Sequence, residues 1–525
     1  MYDGLLSALE RLVYQPEGGM VHPGLPPQWV APLLLGMAAL VLWSLRPAAA
    51  GAGTRAGVSL LALPWLRSLL RPAVRRPWLL VSLRLLSAGV FLLVIYAGLM
   101  GTQVPERNIA TMLTWTVWWS AVVISVLFVG SAWCAVCPWD ALATWLVRRR
   151  LWRRNDGAGL NLRVPRQLRN IWPALGMFVG LTWLELGLGV TTSPYATALL
   201  ALLMVVLATV SLALFERKAF CRYFCAVGRT LGAYGGMSPV ALRPVDPEVC
   251  ARCTTLECYH GTREVEPCPT HLVMGRMSQN TYCTSCGACA QSCPHGNVGW
   301  RVRPLGTEVL AAARPHWDEA WFALGLLALT TFHGITMMPY WESWMSRLAV
   351  AIGDSGRLLG SFSLGMAAAM AAPLLVYAVA VAAARRLGRL DEEYRRVFAA
   401  LAFAALPLAF SYHVAHNLTH LVRESHGFWS VLANPLGAGT LPPGMAEIHF
   451  RHMNPLLPNE WVHALQAGLV LFGFWLALRV VVHRLQRLVP VRSRLRGALL
   501  PLVVFITMVS LANLWLLMQP MVMRM

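Results

Sequence analysis

Twelve cysteines, every one in a short group, are the residues of this chain whose types and spacing could do chemistry. The run CTSCGACAQSCP carries Cys283, Cys286, Cys289 and Cys293, followed by a proline. Three thiolates two residues apart can reach one iron–sulfur cube from a single tight loop. The fourth thiolate, before the proline, belongs to the neighbouring cluster. An earlier group, CARCTTLEC with a later CP, carries Cys250, Cys253, Cys258 and Cys268. Crossed ligation therefore predicts two [4Fe–4S] clusters, one on Cys283, Cys286, Cys289 and Cys268, the other on Cys250, Cys253, Cys258 and Cys293. Zinc is the competing occupant, but a four-member run ending in CP is not a zinc-ribbon spacing.

Two further pairs, Cys134 and Cys137 in WCAVCP and Cys221 and Cys225 in FCRYFC, supply four more thiols. Soft thiolates suit a third cluster or copper; two dithiols with a structural or redox role are the plain alternative. A second chemistry lies further along. His413, His416 and His420 in YHVAHNLTH fall on one helix face, because positions i, i+3 and i+7 align. His333 and His463 are their candidate partners. The readings are a b-type haem between facing helices, a copper or iron site, and interhelical hydrogen bonding. Met337, Met338, Met445, Met453 and the tail QPMVMRM would suit copper. HxxHxxxH and HFRH also have the look of the histidine boxes of membrane di-iron hydroxylases. His316 and His483 are candidates for a second haem level. His260, His271 and His295 share the cysteine-rich segment, where hydrogen bonds to the cluster sulfurs are the available role.

These residues must be held by membrane helices. The chain is 57% hydrophobic and 13% charged, a composition that excludes an ordinary soluble enzyme. Ten stretches approach the roughly 20 apolar residues a spanning helix needs: 28–45, 78–100, 110–133, 171–190, 195–214, 318–338, 359–384, 397–421, 461–480 and 498–518. The first has no basic start or cleavage site and reads as a retained span rather than a signal peptide. The net charge of +20 does not point to nucleic acid, because arginine alternates between loops. Segments 46–77, 134–170, 385–396 and 481–497 hold six, eight, five and five, while 101–109, 339–358 and 422–460 hold one, two and two. By the positive-inside rule this predicts a bacterial inner-membrane protein with both termini outside, the cysteines on the cytoplasmic side and the histidine cluster at the outer face. A reducing cytoplasm disfavours disulfides. Within the spans, Arg84 and Glu185 lie at different depths, and Glu185 is a candidate proton or quinone contact. Trp115, Trp118 and Trp119 read as packing.

The expected fold is an all-α polytopic bundle with a ferredoxin-like insert. Residues 1–239 form a first five-span unit, 240–317 the cytoplasmic 2[4Fe–4S] insert, and 318–525 a second five-span unit rich in histidine. Over roughly 78–300, the cysteine pairs at helix ends followed by the insert resemble the membrane polyferredoxins: the quinol dehydrogenase of periplasmic nitrate reduction, the nitrous-oxide-reductase regulator and the oxidase-assembly polyferredoxin. The resemblance implies electron transfer between quinol or cytoplasmic donors and a redox partner in a respiratory or assembly complex. The expectation is an oxidoreductase subunit linking the clusters to quinone or to an outer haem or metal. Reduction or delivery of copper or iron is the alternative.

Overall fold

The computed structural model describes residues 24–44, 57–60, 64–65, 68, 77–150, 154, 158–489 and 492–521. The arginine-rich segment 46–77 and residues 522–525 of the methionine tail fall largely or wholly outside them. Apolar length dominates what forms. Helices α1 (Pro27–Ser44), α2 (Trp78–Met100) and α3 (Ile109–Val129) are long and apolar enough to cross a membrane. Asn108 starts α3: its Oδ1 accepts from the Ala110 amide at 2.8 Å, and its Nδ2 donates to the Ala97 and Thr102 carbonyls. Such a cap satisfies donors that a helix start leaves open. Met112–Trp118 then winds as a π-helix.

Segment 134–170 is not all loop. Pro138 at the first helical position opens α4 (Pro138–Arg148), as its fixed φ allows. This helix packs against α2 and the span α6 (Pro194–Leu214). Between them, α5 (Trp172–Gly187) has 16 residues, shorter than the expected span 171–190. After α6 the chain turns through Cys221 and Cys225 into α7 (Ala226–Gly235), which packs against α3 and α5.

The second half begins with α8 (Trp317–Thr336), which bends by 94° into α9 (Tyr340–Ile352). The break falls at Pro339, whose missing N–H cannot continue a helix. Residues expected as a loop at 339–358 are therefore partly helical. The remaining spans are α10 (Leu359–Gly388), α11 (Tyr394–Ala433), α13 (Asn459–Leu488) and α14 (Arg494–Met518), with a short α12 (Met445–Met453) before α13. The described residues thus contain eight candidate spans, or nine if α8 and α9 make one, where ten were expected. This is a predominantly helical, multi-pass membrane protein. α11 is its most enclosed helix, flanked by α8, α13 and α7.

Residues 240–317 carry short helices and two strands, β2 (Val240–Pro244) and β3 (Val298–Val302). A third strand, β1 (Val58–Ser59), comes from the segment between α1 and α2 and completes an antiparallel sheet in the order β1-β3-β2.

Candidate functional site

The insert cysteines sort into two groups. Cys250, Cys253, Cys258 and Cys293 line one cavity of about 120 Å³. Short helices at Pro247–Ala251 and Glu257–His260 carry Cys250 and Cys258, Cys253 lies on the turn between them, and Cys293 arrives at the end of Ala288–Ser292. Asn297 ties the group: its amide N–H donates to Cys293 Sγ and its Nδ2 to Cys250 Sγ, both at 3.4 Å. Gly275 leaves the room, since a Cβ there would lie 2.6 Å from Cys250 Cβ. Cys268 instead lies within electrostatic reach of Cys283, Cys286 and Cys289. The Leu272 amide donates to Cys268 Sγ at 3.3 Å and the Ser285 amide to Cys283 Sγ at 3.4 Å.

The remaining four cysteines gather at the helix ends. Cys134 sits on the turn Ala132–Ala135, Cys137 caps α4, Cys221 lies in the turn Phe220–Phe224, and Cys225 caps α7. Cys137 is within electrostatic reach of Cys134, Cys221 and Cys225, and Cys134 of Cys283. The Gly228 amide donates to Cys225 Sγ at 3.3 Å. Ser131 Oγ donates to the Cys283 carbonyl at 2.8 Å, joining this quartet to the insert. On the other side, Lys218 and Asp140 form an ion pair at 2.5 Å, with Cys221 Sγ 3.9 Å from Asp140 Oδ1.

All twelve cysteines are free thiols. Burial raises the thiol pKa throughout the quartet and pushes Cys283 up to about 11. Buried thiols of this kind ionise when a metal replaces the proton. Among the described residues, no three His, Cys, Asp or Glu side chains close on a single ion. The cavity beside Cys250, Cys253, Cys258 and Cys293 and the amide N–H groups aimed at sulfur are features an iron–sulfur site would use.

At the other end of the bundle a cavity of about 200 Å³ is lined by Glu185, His333, Met337, His420 and Glu424, with Trp115 and Trp119 as an apolar wall. His420 Nδ1 lies 2.5 Å from Glu424 Oε1, and Thr116 Oγ1 donates to Glu424 Oε2 at 3.0 Å. His420 Nε2 has no partner. His333 Nδ1 stands 4.0 Å from Glu185 Oε1. His416 is buried with neither ring nitrogen paired, its ring centre 5.1 Å from those of both His333 and His420. His413 turns away, its Nδ1 3.4 Å from the Tyr234 hydroxyl. His463 lies beside Arg423 and Glu460 and does not line the cavity. His316 is exposed, and His483 Nδ1 donates to the Arg479 carbonyl. The pairs expected for a haem, His333 or His413 with His463, do not meet across this cavity, because His463 does not line it and His413 faces Tyr234.

A row of indoles joins the two ends. Trp119, on the cavity wall, lies 5.8 Å from Trp118, and Trp118 lies 5.5 Å from Trp133 and 5.9 Å from Trp139. Trp133 precedes Cys134, and Trp139 packs with Cys137 and Cys225. The π-helical turn that ends at Trp118 sets the phase of this row; such turns recur at functional sites. Sequence reasoning assigned these tryptophans to packing and passed over Arg229, Tyr234, Asn297 and Glu424. Only Arg229 carries a signal, as a charge in the apolar turn after Cys225.

No family model matches the chain, and no solved structure gives a significant match. Over 142 residues it is 26% identical to "Putative electron transport protein YccM" of Escherichia coli (strain K12). That stretch is 26% of this chain and 37% of the relative's length.

Proposed function

We propose that this protein carries electrons through iron–sulfur clusters held at the cytoplasmic face and exchanges them with a quinol or quinone bound in the histidine-lined cavity. The observation that supports the reading is that Cys250, Cys253, Cys258 and Cys293 line one cavity while Cys268 lies within electrostatic reach of Cys283, Cys286 and Cys289, the sets that crossed ligation would use. The relative's name, an electron transport protein, agrees with it. When bound, the clusters supply one-electron storage. The chain's own residues then have two tasks.

The first is to hold the clusters. Amide N–H groups directed at sulfur stabilise anionic thiolates and tune their potential. The second is to handle protons. A quinol gives up two electrons and two protons on oxidation. Glu424 holds His420 Nδ1–H, so Nε2 is left as the acceptor, the arrangement of a general base oriented by a carboxylate. Glu185 and His333 form a second acceptor pair on the same cavity. The indole row offers a compact route from that cavity to the cysteines.

A second reading, metal handling for a periplasmic enzyme, is favoured by the same His420, because a carboxylate-held imidazole with a free Nε2 is also how a metal ligand is presented. Electron paramagnetic resonance on anaerobically purified protein, before and after dithionite, tests the first reading. It expects [4Fe–4S] signals that also appear on adding a short-chain quinol. Absence of any cluster signal ends it. Copper bound in proportion to protein, with no reduction by quinol, transfers the case to the second.

A further inference from the structure

Arg229 is fully buried. One guanidinium nitrogen donates to the Thr281 carbonyl at 2.5 Å, while Nε and the other terminal nitrogen have no partner. Its face lies 5.2 Å from the Tyr282 ring. No carboxylate among the described residues forms an ion pair with it. Glu319 lies within electrostatic reach of it but makes no contact with it, its carboxylate accepting from Gln279 instead, and the Asp140 charge is matched by Lys218. A guanidinium cannot shed its proton to escape burial, and a buried charge without a counter-charge costs several kcal/mol. Its own amide donates to the Cys225 carbonyl at 3.1 Å, one turn into the helix that Cys225 caps. Four plain thiols there would give the guanidinium no counter-charge. Four thiolates on a cluster would, since they outweigh the positive charge of the core and leave the assembled site anionic.

The charge favours an anionic site over plain dithiols. Two buried indole N–H groups beside the quartet, on Trp118 and Trp133, also have no partner, and sulfide-rich clusters accept such bonds. The quartet adjoins the Cys283 group through Ser131, and Cys289 in turn lies within electrostatic reach of Cys258. The three sets therefore adjoin one another in series.

We infer that Cys134, Cys137, Cys221 and Cys225 hold a third [4Fe–4S] cluster, nearest the histidine-lined cavity, and that Arg229 is the fixed positive charge that matches it and raises its midpoint potential. The inference rests on the iron–sulfur reading of the insert. Each reduction adds one electron to this site and no bond changes. Arg229 favours the more negative, reduced state, so its removal makes the cluster harder to reduce.

Iron analysis and a redox titration followed by electron paramagnetic resonance test this on full-length protein. Wild type should hold about twelve irons per chain. The double variant Cys134→Ala with Cys225→Ala should lose about four and keep the insert signals. Arg229→Gln should keep the iron and move one midpoint potential of three to a lower value. Arg229→Lys, which retains the charge, should restore most of that shift. About eight irons in both wild type and the double variant overturns the third cluster, as does copper in its place. Unchanged potentials in Arg229→Gln overturn the role of Arg229. Should Arg229→Gln not assemble, Arg229→His titrated at about pH 5.5 and about pH 8.5 replaces it: a potential that falls between these values by more than in wild type supports the charge argument, and an equal change overturns it. Wild type without iron overturns instead the reading of the insert.

Discussion

The two ends of this bundle present donor groups in opposite ways. At the cysteine end the donors are local in sequence, and the backbone comes to them: amides of Leu272, Ser285, Gly228 and Asn297 point at sulfur. At the histidine end the donors come from separate helices and are held by side chains. Glu424 orients His420, and Glu185 faces His333. A backbone cradle suits a cofactor that stays. A cavity walled by titratable side chains and indoles suits a small molecule that comes and goes.

The strongest way to break that comparison is at Cys289, which belongs wholly to the insert. Cys289→Ser should abolish one cluster's signal and stop electron flow from quinol to the remaining centres. Survival of that flow would show that the insert is not on the route. Next in size is His420→Ala, which should lower quinol-driven cluster reduction by about 10²-fold, the scale of a lost general base, with iron content unchanged. Loss of iron in this variant would erase the distinction between the two ends. Trp118→Leu should slow cluster reduction without weakening quinol binding, and Trp118→Phe should restore part of the rate. Equal rates in both variants and wild type would remove the indole row from the path.

The smallest effect concerns pH. Partial burial and then Arg217, Arg222 and Arg169 lower the His271 pKa to about 4. Unfolded, this imidazole titrates near 6.5. Between those values the unfolded chain binds a proton that the folded chain excludes, so stability is full above about 6.5 and falls as pH drops towards 4. Thermal melts of the holoprotein should shift down by a few degrees over that window. His271→Gln should flatten that part of the slope. A wild-type slope unchanged by the substitution would mean that another group sets it.

What could be read in the chain follows the same division. Cluster ligands sit at short, fixed spacings because one loop must reach one cube. The cysteine groups and the crossed pairing proposed for them could therefore be drawn from text alone. Most apolar spans were visible too, because each carries its own length, although ten were read where the described residues hold eight or nine. The cavity was not. His420 and Glu424 are one helical turn apart, but Glu185, His333 and Trp119 join them only through packing of α3, α5, α8 and α11. The haem pairs were chosen by depth along their spans, and depth does not tell which cavity His463, at the start of α13, faces. The bend at Pro339 and the helix at Pro138 were missed because window hydropathy does not see a helix that turns away or lies with only one apolar face. Arg229 looked like one more cytoplasmic arginine until its burial and empty nitrogens set it apart.

The sheet that closes the insert carries a consequence for how the molecule is made. Gly57, beside β1, takes hydrogen bonds from the Arg301 guanidinium 244 residues later, and β3 is the central strand between β1 and β2. During synthesis β1 must wait while most of the first helices are inserted and all twelve thiols emerge. Only then does its partner arrive. Docking of this early strand onto the late one is thus a natural checkpoint in biogenesis: it reports that the cysteine-rich segment has closed, and it does so on the first connection between membrane spans.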